Sequence, residues 1–475
     1  MTFASGLAAG GVGLVVALAA AESANAASTP VYPGCSTPPP APSRSLHVVP
    51  GAAASGDGTA KAPMSLERAL SAAKPGDFLY LAGGDYGLVT LVGENAGFVT
   101  VSAEPGQKPV LKGLRIGGYH PGAAGHWRVA NLVITGARDS GLMPGGWQRH
   151  PPLVEIFNSN DVILDGDTIQ TVAGDYKWAP EIQGQSSPEQ LVSGVDSENS
   201  NCVAVTNNII SNVFNGIAAG GDQLSQRGVR LLLSGNEIHD FAGDGIDHFG
   251  SHVIISRNRI ENNHNECQDR CIHNDGIQGW NYNGKPGVIN VDVLISQNTI
   301  VDRVVPQLEQ PPNDFHGITI FDGNWDGVRV ENNVVVASTY HGITLGGVEN
   351  AEIVNNTVLS PNPARSAWIA IGIKKGDPAS PHYTAIVRNN IASSFNFGQG
   401  AKAVLGIVAD HNLVTRNPRE LFKEFDPRQG RYDMHLSKHS AAIGAGAKDK
   451  APATDLEGRN RSDKIDAGAL AADSF

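Results

Sequence analysis

Charge of either sign is scarce in this chain: Lys, Arg, Asp and Glu make up 17% of its 475 residues, and aromatic side chains only 6%. The 35 basic residues are outnumbered by 47 acidic ones, for a net charge of −12. That balance argues against a nucleic-acid partner, and an anionic ligand would have to meet local cations or a bound metal. Beyond the first 26 residues no stretch approaches the ~20 apolar residues that span a bilayer, so no membrane association is expected. Lys and Arg are also missing from the start, where the apolar run GLAAGGVGLVVALAAA is followed by Ala24-Asn25-Ala26. Small residues at that place suit signal peptidase, and either the amino terminus supplies the usual positive charge or the true start codon lies upstream. Residues 1–26 are therefore read as a signal peptide, 27–44 as a Pro-rich linker and 45–470 as one domain of a secreted or periplasmic protein. Cysteine is limited to Cys35, Cys202, Cys267 and Cys271, enough for two disulfides in three connectivities. An oxidising compartment favours those over structural zinc.

What the chain has in quantity is a repeated phrase. VAVTNNII, LLLSGNEI, VIISRNRI, VLISQNTI, VRVENNVV, EIVNNTV and IVRNNI each pair a β-branched strand with an asparagine near its end. Aligning on Asn208, Asn236, Asn258, Asn298, Asn333, Asn356 and Asn389 gives a shortest period of 22 to 23 residues. Such a unit cannot bury its apolar face alone. Stacked in parallel coils it forms a continuous core, and a turn asparagine can hydrogen-bond its copies above and below. The expected fold is all-β, a right-handed parallel β-helix. SLERALSAA, with Leu66, Ala69, Leu70 and Ala73 on one helical face, supplies an amino-terminal helical cap over the first coil.

A second phrase opens another strand of each coil: Asn215-Gly216-Ile217, Asp244-Gly245-Ile246, Asp275-Gly276-Ile277, His316-Gly317-Ile318, His341-Gly342-Ile343 and, more loosely, Ile371-Gly372-Ile373. Surplus residues enter just before it in ENNHNECQDRCIHN, RVVPQLEQPPND and SPNPARSAW, which should build one wall along one edge. Parallel neighbours stand about 4.8 Å apart, so equivalent residues form columns. One column reads Asn215, Asp244, Asp275, His316, His341. The next reads Ala218, Asp247, Gln278, Thr319, Thr344, Lys374, and a third Phe249, Trp280, Phe321. Asp244, Asp247 and Asp275 are then crowded carboxylates, which call for a bound cation such as calcium, a shared proton or salt bridges. Alternatively they cap turn amides, as Asx residues before glycine often do. His316 and His341 are either stacked turn residues or proton carriers. Lys374 is a solvated charge or a base, and the aromatics are a simple stack or a platform for sugar faces. Gln278 and Thr319 lie in the same groove as candidate substrate contacts.

Within ten positions His264, Cys267, Cys271 and His273 also offer four soft ligands. Their spacing fits no common zinc finger, and the compartment favours a local Cys267–Cys271 disulfide that delivers His273 and Asp275 to the groove.

SGDGTAKAPMSLERALSAAKPGDFLYLAGGDYG resembles the amino-terminal cap of bacterial pectate-lyase-like β-helix proteins, and DLEGRNRSDKIDAGA their closing segment. The order Asp244, Asn274-Asp275, Phe315-His316-Gly317, Lys374-Lys375 is similar to the motif order of polygalacturonases, and Asp247-His248 faintly to a motif of mannuronan epimerases. The resemblance implies a polysaccharide substrate. Elimination on a uronate-containing glycan is the leading expectation, with Asp244, Asp247, Asp275, His273, His316, His341 and Lys374 as candidate catalytic residues. Hydrolysis, epimerisation and non-catalytic glycan binding remain the alternatives.

Overall fold

The computed structural model describes residues 30–473 apart from 54, 119–122, 137–151, 173–191, 221–228, 265–273, 281–287, 305–314, 373–382 and 398–405. The expected signal peptide, Cys267–Cys271, His273 and Lys374 lie outside the described residues. Among those residues no helix is long and apolar enough to cross a membrane.

The chain winds through three parallel sheets of 14, 12 and 11 strands in turn, here called sheets one, two and three. Each strand pairs with its counterpart one coil away, which gives the parallel β-helix that the repeat implies. A single interior core runs its length, filled by one inward residue after another, such as Ile210, Ile238, Ile260 and Ile300 on sheet two. The one α-helix among the described residues, Leu66–Ala72, is capped by Ser65, whose hydroxyl accepts the Arg68 N–H. Its Ala69 is buried, with Leu66, Leu70 and Ala73 packed on the core.

The asparagine turn joins sheets one and two, and the expected ladder is present. Asn208, Asn236, Asn258, Asn298, Asn333 and Asn356 each donate Nδ2 to the Oδ1 of the next rung at 2.9 to 3.0 Å. The rung after Asn356 is Asn390 rather than Asn389, and Asn412 follows. Asn389 occupies the preceding turn position, which is left-handed in every coil: Asn207, Gly235, Arg257, Gln297, Asn332, Asn355 and Asn389 all have φ between 53° and 70°. Sequence reasoning also missed an earlier rung. Asp167 donates its N–H to Asn208 Oδ1 and accepts from the Leu132 N–H, both at 2.8 Å.

Two segments brace the outside. Near the amino terminus, in the stretch read as a linker, Tyr32 packs with Phe98, Ile163, Ala204 and Leu232 on the outer face of sheet one. A Cys35–Cys202 disulfide across 167 residues ties it down. The carboxy-terminal segment does more than close the last coil. It runs along sheet two, covering Val301, Val334, Val336 and Leu359, and its carbonyls accept from the turn amides of Gln297, Asn332 and Asn355.

Candidate functional site

Sheet three carries the second phrase. Its glycines are required by close approach: a Cβ on Gly317 would stand 2.2 Å from the Gly342 carbonyl oxygen, and one on Gly245 2.6 Å from Ile260. The strands Ile246–Phe249, Asn274–Gly279, Phe315–Ile320 and His341–Gly346 stack in the expected register, pairing Asp247 with Gln278, Gln278 with Thr319 and Thr319 with Thr344. The surplus segments do enter at one corner, between sheets two and three.

The next coil departs from the expectation. Ile343 pairs with Ile369 and Thr344 with Ala370, and a register shift after His341 puts Trp368 beside that histidine. The phrase Ile371-Gly372-Ile373 is therefore four residues out of register, and Ala370 fills the place assigned to Lys374. The cause is a missing glycine: Ala367-Trp368-Ile369 keeps the isoleucine of the phrase without the Gly before it.

Asp275 is expected to face the groove, but it is 0% exposed. Its Oδ1 accepts the Thr319 hydroxyl at 2.6 Å and stands 3.2 Å from His316 Nδ1, while Gln278 Nε2 donates to Oδ2 at 3.3 Å. Thr319 is itself fully buried, so it positions Asp275 and meets no sugar. Gln278 is engaged with the same carboxylate. The group that Asp275 presents toward the groove is His316, 9% exposed, whose ring stands 4.8 Å from that of His341. His341 in turn lies 2.9 Å from the Thr344 hydroxyl, which also accepts from the Trp368 indole.

The other two aspartates divide the alternatives left open by the sequence. Asp244 Oδ1 accepts the Asp275 N–H at 2.7 Å, as Asn215 Oδ1 accepts that of Asp244, so the amide-capping role is real. Asp247 does something different. It is 8% exposed, it accepts from Asn215 Nδ2 at 3.2 Å, and its Oδ1 has no hydrogen-bond partner. Burial, then the charges of Asp244 and Asp275, push its carboxyl well above the usual carboxylate range. Of the crowded carboxylates, Asp247 is thus the one whose surroundings favour the protonated form. The calcium expected across Asp244, Asp247 and Asp275 does not fit this arrangement, because Asp275 is turned onto Thr319 and His316. Among the described residues no three His, Cys, Asp or Glu side chains are grouped as metal ligands. Neighbouring His248 points into the core at 0% exposure, where burial lowers it to about 4, so it is no substrate contact.

The aromatics form a strip along the coil axis. Phe249, which is largely covered, and half-buried Trp280 are 5.5 Å apart. Further along, Phe321 is 4.9 Å from His341, and Tyr340 is 4.3 Å from His341 and 4.6 Å from Trp368. Tyr340 and Trp368 escaped the sequence reading. The signal for Tyr340 was its place beside His341, and for Trp368 the glycine-less phrase.

Residues 193–358 match the family model described as a right handed beta helix region. No curated protein matches the sequence. Among solved structures, pectate lyase Pel9A is 14% identical with a TM-score of 0.49, covering 93% of this chain and 98% of that one. A rhamnogalacturonan lyase is 12% identical, TM-score 0.39, covering 84% and 97%. The lacto-N-biosidase from Eubacterium ramulus is 13% identical, TM-score 0.40, covering 78% and 67%. From its three-sheet coils and the match over residues 193–358, the chain is a right-handed parallel β-helix protein.

Proposed function

We propose that the protein is a carbohydrate-active enzyme, a polysaccharide lyase that cleaves a uronate-containing glycan by β-elimination. The observation that carries this reading is the Asp275–His316 pair. Hydrolysis by two carboxylates requires both to reach the glycosidic bond or its attacking water. Asp275 is fully buried beneath His316 and Thr319, so what it offers the groove is an imidazole oriented by a carboxylate. Such a group suits the removal of a carbon-bound proton.

Elimination has two further needs, and the site supplies candidates for each. The substrate carboxylate must be neutralised before the adjacent carbon gives up its proton. Asp247, holding its own proton in a buried place, can donate to that carboxylate as a neutral acid, a role known for carboxyls kept protonated by their surroundings. As His316 takes the proton, the bond to the leaving oxygen breaks, and His341, its ring 4.8 Å from that of His316, is the candidate to return a proton to that oxygen. The aromatic strip on either side offers faces for successive sugars along a groove parallel to the coil axis.

The experiment is incubation with polygalacturonate, alginate and other polyuronates, following ultraviolet absorbance of the unsaturated product and reducing ends in parallel. Equal growth of both supports elimination. Reducing ends without absorbance would assign the site to hydrolysis.

A further inference from the structure

Beyond the C-terminal end of the aromatic strip the loop at residues 360–366, the turn at 415–419 and the hairpin Phe422–Asp426/Arg431–Leu436 enclose a cavity of about 700 Å³. Its walls carry four arginines, Arg365, Arg416, Arg419 and Arg428, against one carboxylate, Asp426. In a chain of net charge −12 such a concentration is unexpected. Asp426 does not neutralise it, since Arg419 stands 3.9 Å away and Arg431, from outside the cavity, shares the same carboxylate at 3.8 Å. Arg416 and Arg428 are exposed and have no carboxylate partner among the described residues. Four prolines, Pro361, Pro363, Pro418 and Pro427, stiffen the walls, so little ordering is needed on binding.

The cavity adjoins the groove. Arg365 Nη1 donates to the Ser338 carbonyl at 3.4 Å, and the Ser338 hydroxyl accepts the Phe315 N–H beside His316. Ser366, in the cavity wall, precedes Trp368 of the aromatic strip by two residues. A glycan lying along sheet three and passing Trp368 therefore meets the arginines next.

We propose that this cavity is an anion-binding carbohydrate subsite that takes an acidic sugar unit of the same glycan chain whose bond is broken beside His316. This rests on the reading of the groove as a uronate-glycan site. Cavities of about 300–1,000 Å³ hold small ligands, and arginine forks match a carboxylate in a planar, two-point contact. The subsite also resolves an electrostatic difficulty. The catalytic group is rich in aspartate and repels a polyanion, whereas an arginine cluster further along the chain attracts it and sets its direction.

The test is calorimetric titration of oligogalacturonate, oligoalginate, their carboxyl-reduced counterparts and inorganic sulfate. All proteins carry His316→Ala so that the probe is not consumed, with and without Arg416→Ala/Arg428→Ala. At least one acidic oligosaccharide should bind, and the double substitution should weaken it at least about tenfold, with lysine at both positions recovering part of the loss. The carboxyl-reduced chains should not distinguish the proteins. Equal affinity of both proteins for every acidic oligosaccharide would overturn the proposal, as would displacement by sulfate at equal concentration or no acidic oligosaccharide binding at all. Turnover is read separately on the wild type, so arginine-dependent binding here with no unsaturated product there would keep the subsite and refute the lyase. Product with arginine-independent binding would do the reverse.

Discussion

Replacing Asp167 by asparagine should stabilise the fold at neutral and alkaline pH and change it little in acid. Asp167 fills a rung of the asparagine ladder, fully buried, with Oδ1 accepting the Leu132 N–H and Oδ2 without a partner. In the next rung the corresponding atom is an amide nitrogen: Asn208 Nδ2 donates to the Leu164 carbonyl and to Asn236 Oδ1. Only a protonated carboxyl can imitate that donor, and burial accordingly raises Asp167 from an ordinary 3.8 to about 7. The folded state thus holds this proton more tightly than the unfolded chain. Its contribution to stability is fully present below the ordinary value and is lost as pH rises through about 7. A shift of roughly three units, at about 1.4 kcal/mol each, amounts to on the order of 4 kcal/mol. Asp167→Asn supplies a permanent donor and removes the titration. Urea-unfolding midpoints of the two proteins should be close near about pH 4 and diverge in favour of the variant up to about pH 8. A constant difference across that range, or a less stable variant at the alkaline end, would refute the reasoning.

Asp275→Asn should lower turnover by about 10²- to 10⁴-fold, since the amide no longer supports an imidazole that must accept a proton. Because Asp275 is buried and bonded to Thr319, stability should also fall by about 1–3 kcal/mol, read as a lower melting temperature. Full activity in that variant would exclude His316 as the base it orients. Trp280→Ala should weaken long oligosaccharides more than short ones, by about 1 kcal/mol for the lost stacking face. Equal losses at every chain length would place the groove elsewhere. Opening the Cys35–Cys202 bridge, by reduction or Cys35→Ser, releases a loop of 167 residues. The melting temperature should then drop markedly, with up to about 5 kcal/mol expected from chain entropy. An unchanged melting temperature would mean that Tyr32 and its apolar neighbours hold the strap alone.

Local and periodic features were legible in the sequence. The asparagine phrase gave the coil because the same residue must satisfy the same turn in every repeat, and the columns through Asp247, Gln278, Thr319 and Thr344 followed from strand spacing alone. The failures share a cause, which is that register was inferred from identity of letters. Two adjacent asparagines made Asn389 look like the rung that Asn390 occupies. An isoleucine-glycine-isoleucine string drew Lys374 into a column that belongs to Ala370. Asp167 was missed since an aspartate breaks the phrase while keeping its geometry. Burial of Asp275 depended on Thr319 and His316 from the coil above it, and the Cys35–Cys202 bridge on a strap crossing sheet one. Neither leaves a local trace.

The most direct test of the catalytic account follows polyuronate cleavage by wild type, His316→Ala and Asp247→Asn, recording unsaturated product and reducing ends together, with and without chelator. The wild type should form both in equal number, with chelator making no difference. Its rate should fall as rising pH takes the proton from Asp247, whose carboxyl lies well above the usual range. His316→Ala should form neither, and Asp247→Asn, which keeps a neutral donor, should not show that fall. Reducing ends without unsaturated product, a wild-type rate abolished by chelator, or an active His316→Ala protein would contradict it.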